Sequence, residues 1–195
     1  MKRLFDIVFS FFGLILLSPL LILIIILMKI TTKGPIIYKQ LRVGRNNNDF
    51  FIFKFRTMFV NADKFGLLTV GERDSRVTKI GFYLRKFKFD ELPQLVNVFY
   101  GDMSFVGPRP EVRKYVDLYN PMQMQVLNVR PGITDLASIE FRNENELLSS
   151  KEDPESYYIN VIMPKKLQIN LDYLKGSTLF KDIWVIIKTF LAIVK

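Results

Sequence analysis

From Ile7 to Met28 the chain reads IVFSFFGLILLSPLLILIIILM, 22 residues without a charge. A helix of that length rises about 33 Å, just enough to cross the hydrocarbon core of a bilayer. The run is apolar on every side, unlike the one-sided stripe of a helix packed on a soluble core. It is longer than the apolar part of a cleaved leader, and no small-residue cleavage site comes after it. Whether it crosses the membrane is a separate question. Ser18–Pro19 sits in mid-segment, and Pro19 lacks the N–H that would bond the preceding turn, so a kink is expected there. Lys2 and Arg3 precede the segment, and Lys29 and Lys33 come after it. Positive flanks tend to stay in the cytoplasm, and a single span cannot keep both there. A re-entrant helical hairpin bent at Ser18 and Pro19 can, and it is favoured over a span.

Beyond Lys33 the chain changes character and becomes polar and basic. Over all 195 residues, 28 Lys and Arg outweigh 19 Asp and Glu, a net charge of +9. Such a surface suits phosphate-bearing partners: nucleic acid, anionic lipid or a nucleotide. IIYKQLRV (36–43), the polar turn GRNNND (44–49) and FFIFKFRT (50–57) read as a β-hairpin. Alternation in its second strand sets Phe51, Phe53 and Phe55 on one face and Lys54 and Arg56 on the other. Residues 59–73, with Gly66 and Gly71, read as a mobile loop.

Asp74 is placed to cap a helix carrying Val77, Ile80, Leu84 and Phe87 at helical spacing. A second helix carries Leu92, Leu95, Val96 and Phe99, with Gly101 placed to end it. MSFVGPRP (103–110) reads as a loop stiffened by Pro108 and Pro110. Val112, Tyr115, Val116 and Tyr119 form a helical stripe, Asn120–Pro121 a cap and first turn, and VRPGIT (129–134) a turn. Two helices are expected at 155–163 and 165–175, divided by Pro164. The final stretch, 179–195, suits either an interfacial membrane helix or a core helix. Helices outnumber strands and no βαβ alternation is visible, so the expected fold class is α+β: an N-terminal re-entrant membrane helix, then a small, mainly helical domain with a β-hairpin.

The chain has neither His nor Cys. Acid–base or nucleophilic chemistry would therefore fall to Asp, Glu, Lys, Tyr, Ser or Thr, and a metal would be held by oxygen. Asp90–Glu91 comes closely after Arg85, Lys86 and Lys88. Two readings stand. Asp90 could cap a helix, with Glu91 in its first turn and Pro93 tolerated early. Alternatively, the carboxylate could attack a phosphoryl group drawn in by the cations, with basic neighbours keeping it ionised. Arg109 in GPRP and Arg130 in VRPGIT sit in stiff turns, where a guanidinium fork suits phosphate oxygens. Each of them, like Lys54 and Arg56, could equally be a solvated surface cation.

Taken in order, KFRTM (54–58), DSRVTKIGFYLRK (74–86), DELPQLVNVFYGDMSFVGPRPE (90–111) and VRPGIT (129–134), behind a hydrophobic N-terminus with Ser–Pro, closely resemble the bacterial sugar transferase family, the small monotopic polyprenyl-phosphate phosphoglycosyl transferases. The resemblance implies transfer of a sugar 1-phosphate from a UDP-sugar to undecaprenyl phosphate, with release of UMP, at the start of polysaccharide or glycoconjugate assembly. It implies Asp90 as nucleophile and Mg²⁺ contact, Glu91 as its assistant, and Arg85, Arg109 and Arg130 as phosphate-holding positions; Lys54 and Arg56, together on the strand face, are further candidates for phosphate binding. It also implies a Mg²⁺ cofactor and an anchor over 1–33 in contact with inner-membrane lipids. Residues 34–195 would then form a cytoplasmic catalytic domain with a membrane-associated C-terminal helix. No nucleic-acid partner is expected, and self-association is left open. The resemblance further suggests a minimal catalytic unit without added spans. The chain departs from the family's common pattern after VRPGIT, where DLASIEFRNENELL (135–148) leaves the donor sugar undetermined. A non-enzymatic, membrane-anchored module for anionic lipid or nucleic acid is the competing reading.

Overall fold

In the computed structural model, the described residues are 1–62 and 74–194. The fold is α+β and begins with a long apolar helix, α1 (Lys2–Thr31), able by length and composition to cross a membrane. Helical backbone continues through Pro19, the position of the expected kink, and the Ser18 hydroxyl donates to the Ile15 carbonyl. One stripe of α1 lies along the rest of the protein. Arg3 donates to the carbonyls of Val98 and Phe99, and the buried Asp6 accepts from the Ser104 hydroxyl and the Phe105 N–H. Farther along, Ile24 and Met28 pack with Phe55 and Leu84. This spacing repeats about every turn or two of helix. The opposite face, including Phe12, Leu16, Leu23, Ile26 and Ile30, is exposed.

Strands β1 (Ile37–Val43) and β2 (Asp49–Phe55) form the antiparallel hairpin, with Ile37 opposite Phe55 and Val43 opposite Asp49. Asn46 and Asn47 take positive φ in the turn, a conformation Asn tolerates better than most residues. Phe51, Phe53 and Phe55 share one face of β2 as alternation requires, but they are not equally buried. Phe51 is exposed, while Ile52 is buried against Val98 and Met103, and Phe55 is buried on the α1 side. Both faces of β2 are used because α1 covers one end and the helix over 94–100 the other. The Asn97 side chain occupies the open edge of β2, accepting from Phe53 N–H and donating to the Phe51 carbonyl. The loop expected over 59–73 lies outside the described residues beyond Ala62.

Helix α2 (Lys79–Lys86) starts later than the sequence suggested. Its cap is Thr78, whose hydroxyl accepts from Gly81 N–H at 3.0 Å. Asp74 instead accepts from the Arg76 backbone and guanidinium, and Val77 bridges to Met58. Helix α3 (Gln94–Tyr100) ends at Gly101, φ 100°, as its spacing foretold.

The two Pro–Gly turns form a small parallel sheet that sequence reading missed, β3 (Ser104–Val106) beside β4 (Gly132–Thr134). Gly107 and Gly132 let the backbones meet; a Cβ on Gly132 would lie 2.1 Å from Gly107 N. Strands of three residues carry almost no periodicity, so the pair reads as loops in the sequence.

Between β3 and β4 lie α4 (Arg113–Val116), a single turn where a longer stripe was expected, and a 3₁₀ helix, Gln123–Asn128. In the turn that leads into that helix, Asn120 N–H donates to the Gln123 side chain and Gln123 N–H to the Asn120 side chain. Then come α5 (Leu136–Glu140), α6 (Glu144–Ser149), α7 (Pro154–Tyr157), a π turn (Tyr158–Ile162) and α8 (Met163–Leu174). Pro164 does not divide two helices. It falls in the first turn of α8, where its missing N–H costs little, directly after the wide π turn.

Helix α9 (Leu179–Val194) buries Asp182 and Val185 but exposes Phe180, Trp184, Ile187, Phe190 and Leu191. That one-sided burial is not the pattern of a core helix.

Candidate active site

After α2, Lys88 turns the chain with φ 57° and ψ 20° into a 3₁₀ turn, Phe89–Glu91. The reversal drives the Asp90 side chain inward, leaving the residue 8% exposed. Asp90 caps nothing: neither the 3₁₀ turn nor α3 has a side-chain cap, and Oδ1 of Asp90 is buried with no hydrogen-bond partner among the described residues. The helix-cap reading therefore fails. A buried, unpartnered carboxylate oxygen costs stability, so the fold maintains Asp90 at an energetic disadvantage.

Burial, and then the Glu91 carboxylate, raise the Asp90 carboxyl above the usual carboxylate range, against Lys54, Lys88 and Arg85. The direct pairing of the site's cations is with Glu91. Lys54 Nζ lies 3.1 Å from Glu91 Oε1, and Arg109 makes a forked pair with both Glu91 oxygens. Burial alone would raise Glu91, but Arg109 and Lys54 outweigh it and hold the carboxyl well below its ordinary value. The pair is thus split into one strongly ionised, cation-bound acid and one basic, unpartnered acid.

Asp90 lies in a cleft of about 520 Å³ that Glu91, Lys54, Arg85 and Arg109 also line. Arg85 Nε donates to Thr57 Oγ1 at 2.8 Å. Arg56 borders the cleft, yet its guanidinium donates to the carbonyls of Lys33, Pro35 and Met58 and to the Thr32 hydroxyl. It clamps the end of α1 to the hairpin. Arg130 is not among the cleft residues; its Nε bonds the Gly101 carbonyl at the end of α3, beside Arg3. Ser18 and Pro19 lie in α1, away from the cleft.

Several cleft residues escaped the sequence reading. Glu111 accepts from Arg42, from Val112 N–H and from the Tyr158 hydroxyl, and Glu144 pairs with Lys166 at 2.8 Å. Burial and Glu111 push the Tyr158 phenol well above its usual value. The hairpin register could have found Arg42 and Gln40, since both share a face with Lys54. Glu144, Tyr158 and Lys166 are brought in from distant helices, and no local pattern marks them.

The sequence profile of the bacterial sugar transferases matches residues 1–195. This chain belongs to that family. A UDP-N-acetylgalactosamine-undecaprenyl-phosphate N-acetylgalactosaminephosphotransferase of Aeromonas hydrophila is 36% identical over 191 residues, 96% of this chain and 42% of that protein. A UDP-glucose:undecaprenyl-phosphate glucose-1-phosphate transferase of Klebsiella pneumoniae is 36% identical over 192 residues, 96% of this chain and 39% of that protein. The exopolysaccharide production protein ExoY of Rhizobium meliloti is 33% identical over 207 residues, 98% of this chain and 84% of that protein. This bacterial sugar transferase thus spans about two-fifths of the first two relatives and most of the third.

Proposed function

We propose that the chain transfers a sugar 1-phosphate from a UDP-sugar to undecaprenyl phosphate through a covalent intermediate on Asp90. The observation that carries this is the buried, unpartnered Oδ1 of Asp90 in a cationic cleft. The names of the relatives supply both substrate classes. A carboxylate oxygen of Asp90 attacks the phosphorus that bears the sugar. The bond from that phosphorus to the bridging oxygen breaks, and UMP leaves with the electron pair. A phosphate oxygen of the polyprenyl phosphate then attacks the same phosphorus, the bond to Asp90 breaks, and the carboxylate is restored. Arg109 and Lys54, fixed by Glu91, keep the cleft positive where the phosphates would lie.

Mg²⁺ fits this site as an ion held largely by substrate. The described residues contain no cluster of three acidic ligands, but Mg²⁺ commonly takes one carboxylate and completes its shell with phosphates and water. Asp90 Oδ1 would supply that carboxylate, and the ion would neutralise diphosphate charge near it.

The position of α1 supports a monotopic anchor, and the basic flanks Lys2, Arg3, Lys29 and Lys33 favour the cytoplasmic face for the active site. Both ends of the helix are bound to the same domain, Arg3 and Asp6 at one and Met28 and Thr32 at the other. A span would carry the N-terminus about 30 Å from the domain. The exposed apolar faces of α1 and α9 provide surface for lipid.

The test is UMP release by the purified chain in nanodiscs with Mg²⁺, undecaprenyl phosphate and a panel of UDP-sugars. At least one sugar should give UMP with wild type and none with Asp90→Asn. An Asp90→Asn variant as active as wild type would overturn the mechanism.

A further inference from the structure

Lys88 stands out among the residues that line the cleft. Lys54 and Arg109 are held by Glu91, Arg42 by Glu111, and Lys166 by Glu144. The Lys88 side chain has no hydrogen bond or ion pair among the described residues, although it borders the same cleft and its charge acts on both Asp90 and Glu91. Its backbone is also unusual. At φ 57° it occupies the left-handed region, where the other described non-glycine residues are Asn46, Asn47 and Asn61. Asparagine tolerates that region, whereas lysine reaches it only against steric cost, and glycine is the usual residue where a helix ends this way. Here the turn that ends α2 and aims Asp90 inward carries a long cation instead.

Strain of this kind persists only where the surrounding structure enforces it, and it clusters at active sites and ligand clamps. From Lys88 Cα a lysine stem reaches several ångströms, and Asp90 is two residues away. A cation already paired to a carboxylate must release it, or share it, to bind phosphate. An unpaired ammonium needs no such exchange.

We propose that Lys88 is a phosphate-binding residue of this site, its ammonium contacting the phosphoryl oxygens of the group attacked by Asp90. This rests on the phosphoryl-transfer reading of the cleft and adds a ligand-contacting residue to it.

The experiment uses the full chain in nanodiscs and the variants Lys88→Gly, Lys88→Gln and Lys88→Arg. Two readouts are taken, the apparent Tm with and without inorganic pyrophosphate, and kcat/KM for UMP release. Relief of the left-handed lysine should raise the Tm of Lys88→Gly by about 1–4 °C without anion. The same variant should lose about 10- to 100-fold in kcat/KM, Lys88→Gln should lose similarly, and Lys88→Arg should stay within about threefold. Pyrophosphate should stabilise wild type more than Lys88→Gly or Lys88→Gln. A Lys88→Gly variant with undiminished kcat/KM and an unchanged pyrophosphate shift would reduce Lys88 to a turn residue and overturn the proposal. If wild type releases no UMP from any donor, the transferase reading fails, and the pyrophosphate shift by itself decides whether Lys88 binds phosphate.

Discussion

Glu91→Gln isolates the electrostatic framework of the site. The substitution keeps the shape of the side chain and removes one charge that serves two cations. Lys54 and Arg109 pair with a carboxylate whose side chain is 13% exposed, and their own side chains are 18% and 31% exposed. Removing one member of a fully buried pair costs about 3–5 kcal/mol. Partial exposure lets water screen the stranded cations, which reduces the figure to about 2–3 kcal/mol. At about 2–4 °C per kcal/mol for a chain of this size, the apparent Tm should fall by roughly 4–12 °C. The two freed cations should then accept an anion. Pyrophosphate at about a hundred times its Kd would restore about 2.7 kcal/mol, most of the loss.

The pH dependence has a definite sign. Arg109 and Lys54 hold the Glu91 carboxyl below its unfolded value, so its contribution is present above about pH 4.3 and is lost as pH falls through the lower folded value. Differential scanning fluorimetry in nanodiscs should therefore show a gap between wild type and variant that is constant near neutrality and narrows in acid. A Tm within about 1 °C of wild type near neutrality, or a loss that pyrophosphate does not recover, would refute the assignment of Glu91 as the anchor of both cations.

Asp90→Asn should abolish transfer, by roughly 10⁴- to 10⁶-fold in kcat, yet leave thermal stability near neutral pH equal or higher. A raised carboxyl is unfavourable to the fold once ionised, as pH rises through its unfolded and then its folded value; a large drop in Tm would contradict the unpartnered carboxylate. Because the chain has no cysteine, Lys2→Cys gives a unique label site. A membrane-impermeant thiol reagent should not reach it in intact cells, and labelling there would mean that α1 spans. Trp184 is the only tryptophan and half-exposed on α9, so brominated lipids should quench its fluorescence. Absence of quenching would place α9 away from the bilayer.

The parts of this protein that were legible in the sequence are those with long or sharply punctuated signals. Twenty-two uncharged residues mark α1 whatever surrounds them. The Asn-rich turn fixes the hairpin, and Gly101 ends α3 at φ 100°. The β3–β4 pair was not legible, because two three-residue strands are defined by one another and not by their own pattern. Arg56 and Arg130 have the same side chain and the same motif-like settings as Arg109, yet Arg56 and Arg130 bond backbone carbonyls while Arg109 meets Glu91. That difference depends on where carbonyls and carboxylates fall in three dimensions. Asp90 was legible as chemistry, since a chain without His or Cys has few candidates, but its burial and orphaned oxygen belong to the fold. The left-handed turn at Lys88 that produces them leaves no mark in the sequence of the kind Gly or Asn would leave.

The central claim is that Asp90 carries the sugar phosphate covalently between two half-reactions. The most direct measurement is the intact mass of the protein after incubation with Mg²⁺ and the UDP-sugar that supports turnover, with no polyprenyl phosphate present. A mass gain equal to one sugar phosphate, located by peptide mapping to Asp90, discharged by undecaprenyl phosphate and absent in Asp90→Asn, is the predicted result. Full turnover with no adduct at any time point in a rapid-quench series, or an adduct that persists in Asp90→Asn, would contradict it.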